Sequence, residues 1–515
     1  LKTPTRGRGR TRADVRARVC VRARVSARFR LGAMPGGVAT ASGKVASTAR
    51  TRASKSGGGG TALLTAAGLA VAALAVAVRL SPRLAAIGLA VSVLWSLRLY
   101  PRKTIEIGWS DLVATFFSAL CLPGGVLRRE RRGEREELEA AIERLWVQTS
   151  SPPASPSVDD PAAGAVIAIA ARTIVDLALA ALALPKGSEA LFVPGITIPA
   201  LTEIFEAHGV RPVGVDPPST TDMMPLDIES HITENTRVLV VTHLFGCAWD
   251  AESVIRVARS RGLFVMEDCA QAFVGASSRA GGLAGGFRGH PEADLSFVSF
   301  GFMKTLTALN GAVGLVRDPK LKEAMVQLQN TYKKRPAAVF FRRVMKAFVV
   351  KLLGSPWLWG FAAALIIAAG FDFDELIVGS VRGFPNAASF KLRPSVPLLR
   401  LLLRRLSDQR PAAASGAPSL LAARRELGED LAARLVAQGT EVIGHGGQRS
   451  ISDAWWLLPV LDDDPKGLVR ALTARGFDAS CSSTQLKPIG RAPQPAPSGG
   501  AHEVMRRVVF LPLTE

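Results

Sequence analysis

The chain has 515 residues, 48% of them hydrophobic, and a formal net charge of +21. Residues 1–60 hold fifteen Lys or Arg against Asp14 alone and supply +14, so the other 455 residues carry only +7. A basic tail of this kind, in a chain with 2 Tyr and no interleaving of Arg with aromatics, excludes charge as an argument for nucleic-acid binding.

The five cysteines (Cys20, Cys121, Cys247, Cys269, Cys481) never take C-x-x-C spacing, which reads as a reducing compartment without a disulfide framework or a zinc site. The chain opens on Leu1 and closes on "VVFLPLTE", and reads as a fragment at both ends. Residues 1–33 are Arg-rich and patternless: part of a transit peptide, or sequence upstream of a start at Met34. Residues 34–56 lack acids and are rich in Ser, Thr and Ala, which suits an organelle-targeting segment or a disordered tail. After the hinge Gly57–Gly60, Ala62–Val78 is an uncharged run of 17 residues, and the shorter "LAAIGLAVSVLWSL" follows. Residues 61–100 therefore predict a transmembrane hairpin or one tilted span, with a signal-like segment or a buried helical pair as the alternatives. The expected localisation is membrane-associated and organellar, with the active domain in a reducing compartment.

Residues 101–164 predict a surface helix at Glu134–Trp146 and a Pro- and Ser-rich linker at Thr149–Gly164. From 165 to 332 short apolar runs ("AVIAIA", "ALFVPG", "RPVGVD", "RVLVVTH", "LFVMED") alternate with helical stretches. That alternation predicts an α/β domain with a mainly parallel sheet covered by helices on both faces. Ligands in such sheets bind outside the carboxyl ends of the strands, where His243, Glu267 and Asp268 fall. Residues 333–389 combine a basic amphipathic stretch with an uncharged run, Gly354–Gly370, that contains Trp357 and Trp359. In the stretch Phe341, Val344, Met345, Phe348 and Leu352 share a face, with Arg342, Arg343 and Lys346 between them. This suits a membrane interface, the alternative being a subunit interface or a core helix pair. Residues 390–515 predict a small α+β domain, its strand–helix–strand end drawn from "AWWLLPVLDDD", "GLVRALTARGF" and "DASCSST", with Trp455 and Trp456 in its core.

The chemistry concentrates in two stretches, "FVMEDCAQAFVG" and "DLSFVSFGFMKTLTALNGAVGLV". Lys304 is a lone cation among apolar and small residues, and burying an ammonium is costly unless it is paired or neutralised. One chemical solution is a Schiff base with pyridoxal 5'-phosphate (PLP). Such a site needs a carboxylate against the pyridine nitrogen and donors for the phosphate. Asp268 and Ser299 supply the carboxylate and a hydroxyl. Taken singly, Asp268 suits a helix cap, Lys304 a snorkelling surface residue and His243 a satisfied strand-end histidine. Cys269 suits a packing role, and Glu267 has no chemical role in this reading.

"VMEDCAQAFVG" followed by "SFGFMK" resembles the DegT/DnrJ/StrS family of sugar aminotransferases, which are fold-type I, PLP-dependent enzymes. "EALFVPGITIPALTEIFEAHGVRPVGVD", "NTRVLVVTHLFG", "LVRALTARGFDAS" and "FLPLTE" resemble further family segments in the same order, so the resemblance covers about residues 137–330 and 390–515. It implies that Lys304 forms the Schiff base and shuttles the proton, that Asp268 pairs with the pyridine nitrogen, that Gln271 lies near the phenolic oxygen and that Ser299 binds phosphate. His243 would line the cofactor pocket. The family's S-G-T phosphate loop stands here as Ala171, Arg172, Thr173, and its G-E-G-G-like turn as Leu309, Asn310, Gly311, Ala312. Thr197 and Ile198 occupy the place of its stacking aromatic, and "FKLRPSVPLL" that of its G-Y-N-x-R-M segment. The implied function is transfer of an amino group from a donor such as glutamate to a keto-sugar, nucleotide-linked, by a homodimer. The alternatives are a membrane-associated scaffold on a degenerate PLP-enzyme fold, or a different PLP reaction on a lipid-like substrate.

Overall fold

The structure is a computed structural model that describes residues 98–101, 104–148, 164–225, 227–273, 287–371, 373, 376, 389–407, 420–445, 452–453, 455–481, 484–489 and 500–513. The expected leader and the apolar run Ala62–Val78 lie outside these residues.

The centre is a seven-stranded sheet. Its strands in chain order are β1 (Gly164–Ala168), β2 (Glu189–Val193), β3 (Arg211–Gly214), β4 (Thr236–Thr242), β5 (Phe264–Asp268), β6 (Leu295–Ser299) and β7 (Ala312–Val316). They lie side by side as β1-β7-β6-β5-β4-β2-β3. The run from β6 to β3 is parallel, as the alternating pattern predicts, but β7 runs antiparallel to both β6 and β1. The sheet is therefore mixed. The connection from β6 to β7 contains no helix to serve as the crossover a parallel neighbour needs.

Helices α1 (Trp109–Cys121) and α2 (Glu134–Gln148) precede the sheet, and α3 (Ala171–Leu182), α4 (Pro199–Ala207) and α5 (Glu252–Ser260) alternate with its strands. The fit of sequence to element is local. Pro199 takes the first turn of α4, where no amide donor is needed. In α5 the residues Val254, Ile255 and Ala258 turn inward while Arg256 and Glu252 pair outside. After β7 come α6 (Pro319–Asn330), α7 (Ala337–Leu353), α8 (Pro356–Ala368), α9 (Val396–Ser407) and α10 (Leu420–Val436). Asp318 caps α6 by accepting the Lys320 N–H at 2.9 Å. The last part holds α11 (Pro465–Thr473), α12 (Gly500–Arg507) and an antiparallel pair, β8 (Leu458–Leu461) with β9 (Val508–Leu511). The stretch "DASCSST" makes only a bridge from Ser480 to Phe510 where a strand was expected. These C-terminal elements share one apolar core with the sheet, in which Ile443, Leu457 and Phe510 pack with Leu191, Leu244 and Phe245.

Among the described residues no single helix is long and apolar enough to cross a membrane; α7 and α8 reach that length only together, across a bend of 102°. The five apolar residues expected to share a face of α7 are divided. Val344 is buried and Phe341 and Phe348 pack on Phe116 of α1, while Met345 and Leu352 are exposed. Arg343, expected on the polar side, faces a cavity instead. The helix is packed on two sides, which one amphipathic stripe does not describe.

The loop after β4 brings the C-terminal part onto the sheet. Phe245 and Gly246 both have positive φ, 60° and 97°. A Cβ on Gly246 would meet the Trp456 backbone nitrogen at 2.5 Å, so glycine is required both for conformation and for close approach. Gly246→Ala is expected to destabilise the protein by about 2 kcal/mol or more, read as a lower urea midpoint. An unchanged midpoint would show that Trp456 can retreat.

Candidate active site

A cavity of about 410 Å³ opens at the carboxyl ends of β4, β5 and β6, and its wall includes Thr242, His243, Asp268, Gln271, Ser299 and Lys304. Strand register accounts for part of this. Thr242 pairs with Asp268 across β4 and β5, and Asp268 with Phe297 across β5 and β6. Residues 62 positions apart in the chain, Thr242 and Lys304, thus share one wall. Arg172 joins them from the N-terminal turn of α3.

Lys304 sits in the turn after β6, its backbone N–H donating to the Gly301 carbonyl at 3.0 Å. Its Nζ lies 4.3 Å from the centre of the Trp456 ring, a cation–π contact. Burial pulls the Lys304 ammonium down to about 8; Asp268 opposes that shift and Arg172 adds to it. Burial likewise raises the Asp268 carboxyl, against the Ala270 N–H, Lys304 and His243. Asp268 Oδ1 accepts that N–H at 2.9 Å. Two opposite charges are thus desolvated in one cavity.

His243 has both ring nitrogens in use. Nδ1 accepts the Trp249 N–H at 3.0 Å, so its proton is on Nε2, which donates to Glu267 Oε1 at 3.0 Å. With both nitrogens engaged, His243 offers the cavity a ring face. Glu267, which had no role in the sequence, is fully buried and sets that tautomer; its other oxygen accepts the His290 N–H. Gly289 leaves room for it, since a Cβ there would meet Glu267 Oε2 at 2.8 Å. Gln271 Oε1 accepts the Phe245 N–H at 2.7 Å, which leaves its NH₂ as the donor toward the cavity. Ser299 Oγ accepts the Gly301 N–H at 3.4 Å.

Thr173 departs from the expectation. Its hydroxyl donates to the Phe390 carbonyl at 2.8 Å and its side chain is buried outside the cavity wall. The third residue of α3 has turned into the core, so of the three phosphate-loop positions Ala171 and Arg172 face the cavity. Trp456, expected in a core, faces the cavity beside Lys304 with its Nε1 donating to the Met303 carbonyl at 2.9 Å; Trp455 is the buried one. Cys269 is buried as expected, and burial pushes its thiol well up.

The sequence reading also missed Thr242, Asn310, Arg343 and Trp359, all on the cavity wall. Thr242 was legible, since it ends the β4 run directly before His243. Arg343 was not, because its signal is that of a surface cation. Its Nη1 donates to the Leu309 carbonyl at 3.2 Å. Leu309 has φ of 65°, a conformation that favours glycine, and Thr307 Oγ1 holds its N–H at 2.9 Å. The degenerate turn is therefore held by a residue of the segment that follows it. Burial, helped by Arg335, pulls the Arg343 guanidinium down to about 10.

Residues 163–353 match the family model of the DegT/DnrJ/EryC1/StrS aminotransferase family. GDP-perosamine synthase of Escherichia coli O157:H7 is 37% identical over 146 residues, 28% of this chain and 38% of that protein. The dTDP-3-amino-3,6-dideoxy-alpha-D-galactopyranose transaminase of Aneurinibacillus thermoaerophilus is 41% identical over 83 residues, 16% of this chain and 23% of that protein. The chain thus matches well under half the length of either curated relative. Among solved structures, Helicobacter pylori PseC, an aminotransferase involved in pseudoaminic acid biosynthesis, aligns with a TM-score of 0.53 at 15% identity, over 80% of this chain and 93% of that one. The E. coli GDP-4-keto-6-deoxy-D-mannose-3-dehydratase with bound hydrated PLP aligns with a TM-score of 0.51 at 14% identity, over 80% and 94%. At these identities the two structures show the shared fold.

The Lys304 environment sets a pH dependence. An amine reacts in its neutral form, so with the ammonium pulled down to about 8 the Lys304 amine gains reactivity as pH rises to 8 and levels off above it. Reductive methylation of the ligand-free protein, followed by peptide mass spectrometry, is expected to show this for Lys304, while exposed lysines keep gaining toward about pH 10. A Lys304 profile that matches the exposed lysines would refute the desolvated amine.

Proposed function

We propose that this chain, whose residues 163–353 belong to the DegT/DnrJ/EryC1/StrS aminotransferase family, is a PLP-dependent aminotransferase acting on a keto-sugar. The observation that carries the reading is Asp268 and Lys304, both desolvated and both on the wall of one cavity. The wall fits the cofactor. Its donor set offers a carboxylate, an amine with a lowered pKa and a neutral ring face. The Thr242 and Thr484 hydroxyls on the same wall are buried without a hydrogen-bond partner. PLP, when bound, supplies the electron sink that moves an amino group between carbon skeletons.

The residues divide the work. Asp268 keeps a proton on the ring nitrogen by offering a buried negative charge. His243, held by Glu267 and the Trp249 N–H, presents its ring to the cofactor. Gln271 donates its NH₂ to the phenolic oxygen. Ser299 and Arg172 hold the phosphate; a guanidinium there replaces the family's glycine with a charge. Lys304 holds the cofactor and moves the proton at the reacting carbon, a task suited to an amine with a pKa near 8. Trp456 limits where its Nζ can go.

The amino donor in this reading is an amino acid such as glutamate. The acceptor is a keto-sugar on a phosphate-linked carrier; the names of the relatives put theirs on GDP or dTDP, which supports a nucleotide-linked sugar. A homodimer follows from the family resemblance alone. With PLP added, the purified protein is expected to show a visible absorbance band that glutamate bleaches and that Lys304→Ala lacks. A wild-type protein with no such band, or a band unchanged in Lys304→Ala, sinks the reading.

Membrane association is the second part of the proposal, with a lipid bilayer as the partner. Among the described residues every exposed large hydrophobic side chain except Val436 lies in 109–127 or 345–376, on α1, α7, α8 and the turns beside them. Residues 337–371 contain no acid, and Arg128, Arg129 and Arg342 are exposed cations of the same segments. An apolar face flanked by these cations suits an anionic bilayer. At α8 the Leu99 N–H donates to the Pro356 carbonyl at 3.0 Å, and Leu99 packs with Trp359 and Ala363. A chain begun at residue 98 is expected to float with vesicles of phosphatidylcholine and phosphatidylglycerol, and Phe361→Glu with Leu365→Glu to stay in the buffer. If both chains stay in the buffer, and sedimentation shows the unsubstituted one as a dimer that the substitutions dissociate, the face belongs to a second copy instead.

A further inference from the structure

The helices that carry the exposed apolar face also wall the cavity. Val350 and Leu353 of α7, Gly354 at the bend and Trp359 of α8 line it together with Lys304 and Asp268. Val349 and Leu352, on the adjoining side of the same helix, are exposed. One helix thus carries both part of the cavity wall and part of the outer apolar face. Phe302 and Met303, from the turn that holds Lys304, continue the apolar lining. Trp359 has its one polar atom spent, Nε1 donating to Asp478 Oδ2 at 3.0 Å, so it offers the cavity hydrocarbon only.

The same cavity is lined by Arg343. This residue is on α7, two turns before Val350, and one of its N–H groups holds the Leu309 carbonyl. A phosphate fits a guanidinium's fork, and Arg343 brings one to the cavity wall. The cavity therefore presents reacting groups, a cation and an apolar wall.

We propose that the acceptor is an amphiphile: a keto-sugar joined through phosphate to an apolar chain, with the sugar at Lys304, the phosphate at Arg343 and the chain along Val350, Leu353 and Trp359. This rests on the aminotransferase reading for the sugar end and puts an apolar chain where the named relatives carry a nucleoside. The chemistry of this part of the wall recognises the class: hydrocarbon gains by leaving water for an apolar lining, whereas a nucleoside brings ribose hydroxyls and base edges that Val350, Leu353 and Trp359 do not pair.

The probe is monododecyl phosphate, below its micelle concentration, titrated calorimetrically into the PLP-loaded full chain, with methyl phosphate and UDP as comparators. Dodecyl phosphate is expected to bind at least about a hundredfold more tightly than methyl phosphate, since each buried methylene contributes several-fold, and more tightly than UDP. Arg343→Met is expected to weaken both alkyl phosphates by about tenfold or more and to keep their ratio. Leu353→Asp is expected to weaken dodecyl phosphate alone, collapsing the ratio; Leu353→Asn serves if the first variant loses its cofactor band. Leu365→Asp, on the outer face, is expected to keep the ratio. A ratio near one, UDP as the tighter ligand, or a ratio that survives both Leu353 variants overturns the proposal; the last means adsorption of a surfactant. If the cofactor band and its bleaching by glutamate persist in that case, the aminotransferase reading stands and only the amphiphile falls. If the band itself is missing, the aminotransferase reading has failed first.

Discussion

Two opposite charges buried in one cavity are the constraint on which the rest of this structure turns. Asp268 and Lys304 each give up solvent, and each holds the other partly in its charged form. Such an arrangement is expensive in a fold that needs only stability. The elements around it are what make it tolerable. Asp268 ends a central strand and takes an N–H from Ala270; Lys304 lies over the Trp456 ring. Trp456 in turn reaches that place because Gly246 lets the C-terminal part of the chain approach the sheet.

A second layer fixes the first. Glu267 sets the proton on His243, and Gly289 makes the room for Glu267. Arg343 holds the carbonyl of Leu309, whose backbone occupies a region that favours glycine. Both are indirect: neither Glu267 nor Leu309 needs to touch a substrate for its neighbours to depend on it. The difference between them is origin. Glu267 belongs to the strand that carries Asp268, while Arg343 comes from the basic apolar segment that follows the sheet.

That segment gives the molecule its particular character. Its inner side completes the cavity wall and its outer side carries much of the exposed apolar surface. The amphipathic reading of α7 placed Phe341, Val344, Met345, Phe348 and Leu352 on one face, with Arg342, Arg343 and Lys346 between them. In the structure α1 packs on part of the helix, the cavity takes another part, and the exposed remainder keeps Met345, Val349 and Leu352. A helix packed on two sides has no single stripe, so periodicity reports only that it is a helix.

Much was settled by the order of residues alone. The alternation of short apolar runs with helices specified the strands from β1 to β5, because buried strands are short apolar runs bounded by turn residues and helices are longer. Asp268, Ser299 and Lys304 proposed the site by their chemistry, and the family resemblance added Gln271; strand ends of a parallel sheet converge on one side. The antiparallel turn of β7, the inward rotation of Thr173, the burial of Glu267 and the arrival of Trp456 and Arg343 were decided only by the tertiary structure. Those depend on which surfaces meet across long stretches of chain. A side chain's contacts at that range follow from packing, and packing leaves no period in the sequence.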